Sequence, residues 1–546
     1  MMWQTSLGAA AAVFSLLTSQ VVGQEDIQTE AQTAQIESTK GVILDSILDW
    51  NDAARLDPTT YNGQKYGCKC YPGRPCWPSA NKWNSLNRTV DGTLRVNVPA
   101  GAVCHNTFDG PFGTIQTYDE AACADAKENL VNEQWTVEKP ADGLWTYFTN
   151  DTCRPTSNPS DPCTLGSYGV YVIMATKASH IQAGVNFARR NNLRLIVRNT
   201  GHDFLGRSVG YGSLIINTHS FQSLKWTDKY TGPGSYRGPA VTMGAGVQGG
   251  DILKAGHALN PPMALVTGEC ATVGLSGGLC HPRRRPRPLD DSQGTGRRQC
   301  AQLESDHRLG RGRHVEPKIF HKYANHHFVD NGLYVYTYFE IFPGQFRVRP
   351  FVAIGKDQFQ LENILRPICS MSSLLPVSRT KAAFTEFPHI AEKAGQTALT
   401  GGWMFNHDAV ANRNDEIITA MKNVVSPAGR PDLFGGMVGH LFNPGAQRFR
   451  FDSGGSSGVE ERDGLCDCCF AEPGASQPGG LRNASRSGAT YVNEPNWQSH
   501  FWGSNYPRLK QLRKKWDPLG VFYAVSTPGT ENWEEIEFNT RLCKKL

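Results

Sequence analysis

The sequence predicts an α+β protein of two or three domains, on three observations. The chain has 546 residues, more than a single hydrophobic core usually serves. Residues 168–199 read as strand, helix, strand. From residue 331 the texture changes to aromatic-rich alternation, the pattern of strands in a sheet with one exposed face. A hydrophobic content of 39%, with 12 Trp, 17 Tyr and 25 Phe, supplies folded cores rather than a disordered chain.

The chain opens with "MMWQTSLGAAAAVFSLLTSQVVGQED". Leu7 to Thr18 is an apolar run of secretory-signal length, and Val21-Val22-Gly23 offers small residues before a cut near Gln24. The run is too short to span a bilayer, and no later segment has 18 uninterrupted apolar residues. Residues 1–23 are expected to be a signal peptide, and the mature protein to be secreted or lumenal, with no membrane partner.

Residues 24–165 form a cysteine-rich region. Seven of the 15 cysteines lie there: Cys68, Cys70, Cys76, Cys104, Cys123, Cys153 and Cys163. Disulfide stapling in an oxidising compartment explains the cluster. Seven is odd, so at least one thiol stays single or pairs elsewhere. Zinc is the rival reading of "CKCYPGRPC", but its spacings are not those of a usual zinc pair, and no metal is expected. Sequons at Asn87, Asn150 and Asn483 permit N-glycosylation.

"YGVYVIMA" (168–175) is a β-branched strand. "SHIQAGVNFARRNN" (179–192) follows at helical period, with Ile181, Val185 and Ala188 on one face and Asn191-Asn192 as the stop. "LRLIVRN" (193–199) completes a β-α-β unit, so a glycine loop stands where α/β folds hold ligand phosphates. "AVTMGAGVQGGDILKAGHALN" (240–260) repeats strand, glycine turn and helix. "PPMALVTGECATVGLSGG" (261–278) reads as another strand-and-glycine segment. "SNYPRLKQLRKKWDPLGVF" (504–522) is an amphipathic helix, with Tyr506, Leu509 and Leu512 expected inward and Lys510, Arg513, Lys514 and Lys515 outward.

The net charge of +5 is local. Residues 281–318 hold nine Arg and one Lys against five acids, which is also +5, so the rest of the chain is neutral. Basicity is no global signal for nucleic acid, and none is expected as a partner.

Two loops carry the chemistry. Gly201-His202-Asp203 and Gly268-Glu269-Cys270 each set a nucleophilic side chain where glycine lets backbone approach a ligand. Taken singly, His202 reads as a structural hydrogen bonder and Cys270 as a buried or bridged thiol. In order with "GVYVIMATKASHIQAGVNFARRNNLRLIVRNTGHDFLGRSVGYGSLIINTHSF", "GECATVG" (268–274) and "YVNEPNWQSHFWGSNYPRLKQLRKKWDPLGVFYAVSTPG" (491–529), they resemble FAD-linked oxidases of the vanillyl-alcohol-oxidase and berberine-bridge-enzyme superfamily, in particular its fungal secreted, isoamyl-alcohol-oxidase-like branch.

The resemblance implies an α+β architecture. A PCMH-type FAD-binding domain of two α/β subdomains would occupy 166–327. A mixed-sheet substrate domain with helices would occupy 328–485, and a berberine-bridge-like segment, 486–546, would return to the FAD domain. His202 matches the histidine that bonds the flavin 8α-methyl, and Cys270 the cysteine that bonds C6 in bicovalent members. Thr200, Gly201, Asp203, Gly206, Arg207, Ser208, Gly268, Thr272, Val273 and Gly274 would complete the cofactor site, with backbone amides of 200–208 and 271–278 cradling the pyrophosphate. Tyr491 matches the tyrosine that stands over the flavin, a candidate proton acceptor or orienter with Asn493 as polar neighbour. Its reading as a sheet aromatic stays open, and Glu494 is the alternative base. The implied activity is oxidation of an alcohol, phenol or related carbon centre of a small molecule, with hydride passing to flavin N5 and O2 as acceptor, by a monomer serving secondary metabolism.

One stretch departs from the pattern. In the family the cysteine loop runs on into a segment resembling Gly-Gly-Gly-His-Gly-Pro; here "GLSGGLC" meets "HPRRRPRP". Written as CGG CGG CGG CCA CGG CCC, Arg283–Pro288 read one nucleotide later gives Gly-Gly-Gly-His-Gly-Pro. Residues 280–318 are therefore expected to be out of frame or a disordered insertion, and 447–480, where periodicity vanishes, is equally doubtful. The competing functional reading follows: a catalytically defective, or merely ligand-binding, product of an oxidase gene.

Overall fold

The computed structural model describes most of residues 54–278 and 497–546. Between them it describes 299–306, 327–328, 333–340, 345–353, 358–369, 399–425, 435–442 and 464–471, apart from some side chains. Among the described residues no helix is long and apolar enough to cross a membrane.

The first region is built on a four-stranded sheet. Helix α1 (Ala80–Thr89) precedes strand β1 (Leu94–Val96), and helix α2 (Glu133–Glu138) follows it. Strand β2 (Tyr171–Met174), helix α3 (Ala178–Arg190), strand β3 (Leu195–Arg198) and strand β4 (Leu214–Asn217) come next. The strand order is β1-β2-β4-β3, with β2, β4 and β3 mutually parallel and β1 antiparallel at the edge. The β-α-β unit forms as the sequence predicts, but β4 inserts between its two strands.

Side-chain alternation divides this sheet between two cores. Ile173, Leu195, Leu214 and Ile216 pack with Trp83, Leu86, Val185 and Ala188 from α1 and α3. Val172, Ile196 and Ile215 point the other way, onto Ala141. Period 2 in the strands thus buries both faces, as a parallel sheet requires. Gly184 of α3 lets the helix approach closely: a Cβ there would sit 2.8 Å from the Cδ1 atoms of Ile173 and Ile216. Asn191 caps α3, and Asn192 turns the chain with φ of 52°.

The chain ends meet in a second four-stranded sheet. Hairpin Asp57–Tyr61/Gln64–Cys68 pairs with hairpin Trp533–Ile536/Arg541–Lys545, Cys543 lying opposite Cys68. A disulfide joins those two residues, which explains the odd cysteine count of the N-terminal region. The other bridges are Cys70–Cys76, Cys104–Cys123 and Cys153–Cys163. His105 lies beside Cys153 and Cys163. Those sulfurs are bonded to each other, and both ring nitrogens of His105 face carbonyl oxygens, of Asp161 and Arg154, at 2.8 Å, so the cluster is no metal centre. Of the sequon residues, Asn150 sits exposed in a turn and Asn87 is half-buried on α1, its Oδ1 accepting from Leu94 N at 3.2 Å. Asn483 lies outside the described residues.

The later region contains a six-stranded sheet. Its order is Gln299–Asp306, Gln345–Ala353, Leu333–Glu340, Gly435–Phe442, Gly464–Ala471, Leu399–Asn406. Every pairing is antiparallel, so its strands are not of mixed direction. Two of these strands lie in stretches that the sequence reading sets aside. Gln299–Asp306 falls within 280–318 but carries no arginine; the arginines flank it at 283–298 and 308–313. Gly464–Ala471, "GLCDCCFA", is an interior strand that lacks the β-branched residues by which strands are recognised.

The tail helix α5 (Tyr506–Trp516) corrects one expectation. Leu512 is 41% exposed, whereas Arg513 turns inward and donates to Phe522 O (2.9 Å) and Thr527 Oγ1 (3.3 Å). Positions 506, 509 and 513 share one stripe, and Leu512 lies off it. That stripe meets loop carbonyls, which a guanidinium can satisfy and a leucine cannot.

Candidate functional site: a histidine loop on a buried arginine

Strand β3 ends in Arg198, a fully buried cation. Its guanidinium donates to the carbonyl oxygens of Asp142 (2.8 Å), Thr136 (3.0 Å), Asn199 (3.0 Å) and Val137 (3.3 Å). Thr136 and Val137 belong to the last turn of α2, where carbonyls run short of backbone donors; Thr136 O already accepts from Lys139 N (3.1 Å), and a cation is a natural further donor there. Burial holds the Arg198 pKa down to about 10, opposed by the nearby Asp142 carboxylate. One side chain thus ties α2 to the loop after β3.

That loop carries His202. Gly201 takes φ of 80°, a left-handed conformation that suits glycine, and a Cβ would lie 3.0 Å from Asp142 O. Asp203 organises the residues beyond: its Oδ2 accepts from Leu205 N (2.9 Å) and Arg207 N (2.7 Å), and its Oδ1 pairs with the Arg207 guanidinium at 2.5 Å. The amides of 205 and 207 are therefore spent within the loop and cannot grip a phosphate. Val209 N likewise bonds Gly206 O at 3.2 Å. Asp203 and Arg207 shape the loop; Gly206, with φ of 71°, and Ser208 form its turn.

The second loop meets the first. Cys270 is buried and not disulfide-bonded. The described part of its segment is a turn followed by the short helix Leu275–Gly278, where the sequence suggests a strand. Val273 N bonds Cys270 O (3.2 Å), Gly274 N donates to Thr200 Oγ1 (3.1 Å) and Leu275 N to Val247 O (3.1 Å). These amides also serve the fold. Beneath lies the glycine turn into helix α4 (Gly249–His257), where Gly249 N and Gly250 N donate to Val273 O and Ala271 O. Gly268, Tyr491 and Asn493 lie outside the described residues.

Thr272 joins the two loops. Its Oγ1 is 2.6 Å from His202 Nε2 and donates to Glu133 Oε2 at 2.7 Å. Glu133 opens α2, whose cap Asn132 accepts from Gln134 N and Trp135 N. Burial raises the Glu133 carboxyl, against the Thr272 hydrogen bond, which lowers it. Burial and the Arg198 charge hold His202 down to about 4, so its imidazole is neutral at ordinary pH. Sequence reading finds His202, Cys270, Thr200 and Thr272 but misses Glu133, Arg198, Asn199 and Gln248. An arginine closing the apolar run "LIVR" was a usable signal; nothing marks Glu133.

The site fits a nucleotide cofactor. Of the six buried side-chain oxygens without a hydrogen-bond partner among the described residues, Glu133 Oε1, Asn199 Oδ1 and Gln248 Oε1 belong to this cluster. Acceptors rarely stay unpaired in a finished interior, and these await donors such as ribose hydroxyls or ring N–H groups. Such a loop cluster beside the parallel strands, with glycine-opened backbone, is where α/β folds bind nucleotide ligands.

The comparisons agree. The family described as "FAD binding domain" matches residues 170–279, and "Berberine and berberine like" matches 488–525. The chain thus carries an FAD-binding segment and a berberine-bridge-like segment, and along most of its length it is similar to FAD-linked oxidoreductases. It is 27% identical to FAD-linked oxidoreductase sor8 of Hypocrea jecorina (strain QM6a), over 88% of this chain and 94% of that protein. It is 26% identical to the VAO-type flavoprotein oxidase VAO615 of Thermothelomyces thermophilus, over 89% and 97%. The crystal structure of VAO-type flavoprotein MtVAO615 from Myceliophthora thermophila C1 shares the fold, with a TM-score of 0.71 at 24% identity, covering 87% of this chain and all of that one.

Proposed function

We propose that the protein is a secreted FAD-dependent oxidase whose flavin is bonded covalently to His202, with Cys270 as a second tether. It oxidises an alcohol, phenol or related carbon centre of a small molecule of secondary metabolism, with O2 as acceptor. The observation that carries this reading is the state of His202: a neutral imidazole on a glycine loop, with Nε2 held by Thr272 and no partner for Nδ1 among the described residues. A neutral nitrogen with an available lone pair is a nucleophile, which an imidazolium is not. Bound FAD would supply hydride acceptance and reoxidation by dioxygen.

The protein's part is to orient and to manage protons. Arg198 fixes the floor under the His202 loop. Cys270, buried two residues before Thr272, stands on the second loop, which Thr272 joins to His202, and serves as the second tether. By the family resemblance, Tyr491 takes the substrate's hydroxyl proton and Asn493, two residues on in sequence, supports it. Four disulfides accord with secretion and with removal of residues 1–23.

A second reading, a ligand-binding protein without turnover, is favoured by the arginine-rich stretch that follows the Leu275–Gly278 helix. Acid precipitation of purified full-length protein separates the two. The oxidase reading expects a yellow pellet, and a colourless pellet with yellow supernatant from His202→Ala,Cys270→Ala. A colourless wild-type pellet contradicts covalent attachment.

A further inference from the structure

Glu133, Thr272 and His202 form a continuous chain of hydrogen bonds whose direction is set by chemistry. Thr272 has one hydroxyl proton and gives it to Glu133 Oε2 at 2.7 Å. The hydroxyl can then only accept from His202 Nε2, 2.6 Å away, so Nε2 carries the proton and Nδ1 the lone pair. The chain crosses three separate elements, with Glu133 lying 139 residues from Thr272 in sequence. Glu133 is itself 5% exposed, and its second oxygen, Oε1, is buried with no hydrogen-bond partner among the described residues.

We propose that Glu133, acting through Thr272, is a positioning residue for cofactor attachment: it fixes His202 as the Nε2–H tautomer and takes that proton when Nδ1 bonds to the flavin methyl carbon. The inference rests on the covalent reading above. A C–N bond forms and a methyl C–H bond breaks. Bound FAD would take up the two electrons and the methyl proton, and dioxygen would remove them, together with the proton relayed from Nε2, as hydrogen peroxide. The overall balance is methyl-flavin plus imidazole plus O2 giving methylene-linked imidazole plus H2O2.

As Nδ1 is alkylated, the ring would become a cation in a buried site where the Arg198 charge already opposes a second positive charge. The relay avoids this. Nε2 passes its proton to Thr272 Oγ1, and Thr272 passes its own to Glu133 Oε2. Every hydrogen bond survives with its direction reversed: Glu133 now donates to Thr272, and Thr272 to Nε2. A buried carboxylate with one unpaired oxygen is well suited to receive a proton, because neutralisation relieves its desolvation.

The test follows acid-stable flavin in full-length variants incubated with excess FAD, alongside total flavin bound before denaturation. Glu133→Gln keeps the shape and removes the proton acceptor; per flavin bound, it should attach the cofactor at least about tenfold more slowly, the scale of lost general-base assistance. Thr272→Val should be as slow, and Thr272→Ser should restore attachment to within about twofold of wild type. A merely structural role for Glu133 would change total flavin and the attached fraction together. If Glu133→Gln and Thr272→Val attach flavin at the wild-type rate while His202→Ala,Cys270→Ala attaches none, the relay is refuted and the covalent reading stands. If the wild type itself carries no acid-stable flavin, the covalent reading fails, and the relay with it.

Discussion

The two four-stranded sheets of the first region are held together by different physics. The terminal sheet is antiparallel and joins residues 57–68 to 533–545 by cross-links of several kinds. Cys68–Cys543 is covalent, Arg541 pairs with Asp57 (3.4 Å) and Tyr66 donates to Glu534; Arg541–Glu537 (3.0 Å) and Lys545–Glu534 (2.7 Å) brace the C-terminal hairpin itself. The parallel sheet has no cross-link of this kind among the described residues of its strands. Branched apolar side chains fill both of its faces, and its polar side chains stand at strand ends, Arg198 and Asn217 among them. The first is a clasp, the second a platform, and only the platform carries loops with reactive side chains.

The difference can be broken from either side. The largest effect should come from the clasp. In the chain-entropy account a disulfide stabilises more as its loop lengthens, and Cys68–Cys543 spans 475 residues against 6 for Cys70–Cys76. Cys68→Ser,Cys543→Ser should cost about 5 kcal/mol, and Cys70→Ser,Cys76→Ser about 2 kcal/mol. Denaturant unfolding of the two double variants measures both. Equal losses would mean that the chain ends are held by packing rather than by the bridge.

The platform should fail through Arg198, its most deeply buried cation among the described residues. Arg198→Met keeps the aliphatic stem but leaves four carbonyl oxygens without its hydrogen bonds, at a cost of about 3 kcal/mol. The His202 loop should loosen with it, read as a lower retention of acid-stable flavin per chain while the disulfides remain intact. Unchanged retention would show that the loop does not depend on its floor.

The smallest effect is electrostatic. His202 is neutral in the folded protein down to about pH 4, whereas the unfolded chain takes up the proton near its ordinary value of about 6.5. Its contribution to stability is thus present above pH 6.5 and is lost as pH falls from there toward 4. In flavin-free protein the loss should be on the order of 2 kcal/mol, reduced by the ring's partial exposure. His202→Asn removes it, so the difference in melting temperature between wild type and variant should change with pH in that window. A pH-independent difference would contradict a buried neutral imidazole.

Much of this was readable in the chain, for identifiable reasons. Glycine announces a special backbone, so the loops of Gly201 and Gly274 stood out; apolar period announced β2, α3 and β3. What escaped lacked a local signature. Glu133 is one acid at the start of a six-residue helix, and its partner Thr272 is brought to it only by the tertiary fold. The Cys68–Cys543 pairing follows from two chain ends meeting in one sheet, which no spacing encodes. Leu512 and Arg513 exchanged places because helical period fixes the stripe but not what the stripe faces. Gly464–Ala471 is a strand made so by its neighbours, against weak local preference.

The most direct measurement is mass spectrometry of denatured, deglycosylated full-length protein, intact and after proteolysis. The account predicts one flavin nucleotide per chain, carried on the peptide containing His202, with the peptide of Cys270 joined to it when both tethers form. An unmodified His202 peptide, with no flavin surviving denaturation, would contradict it.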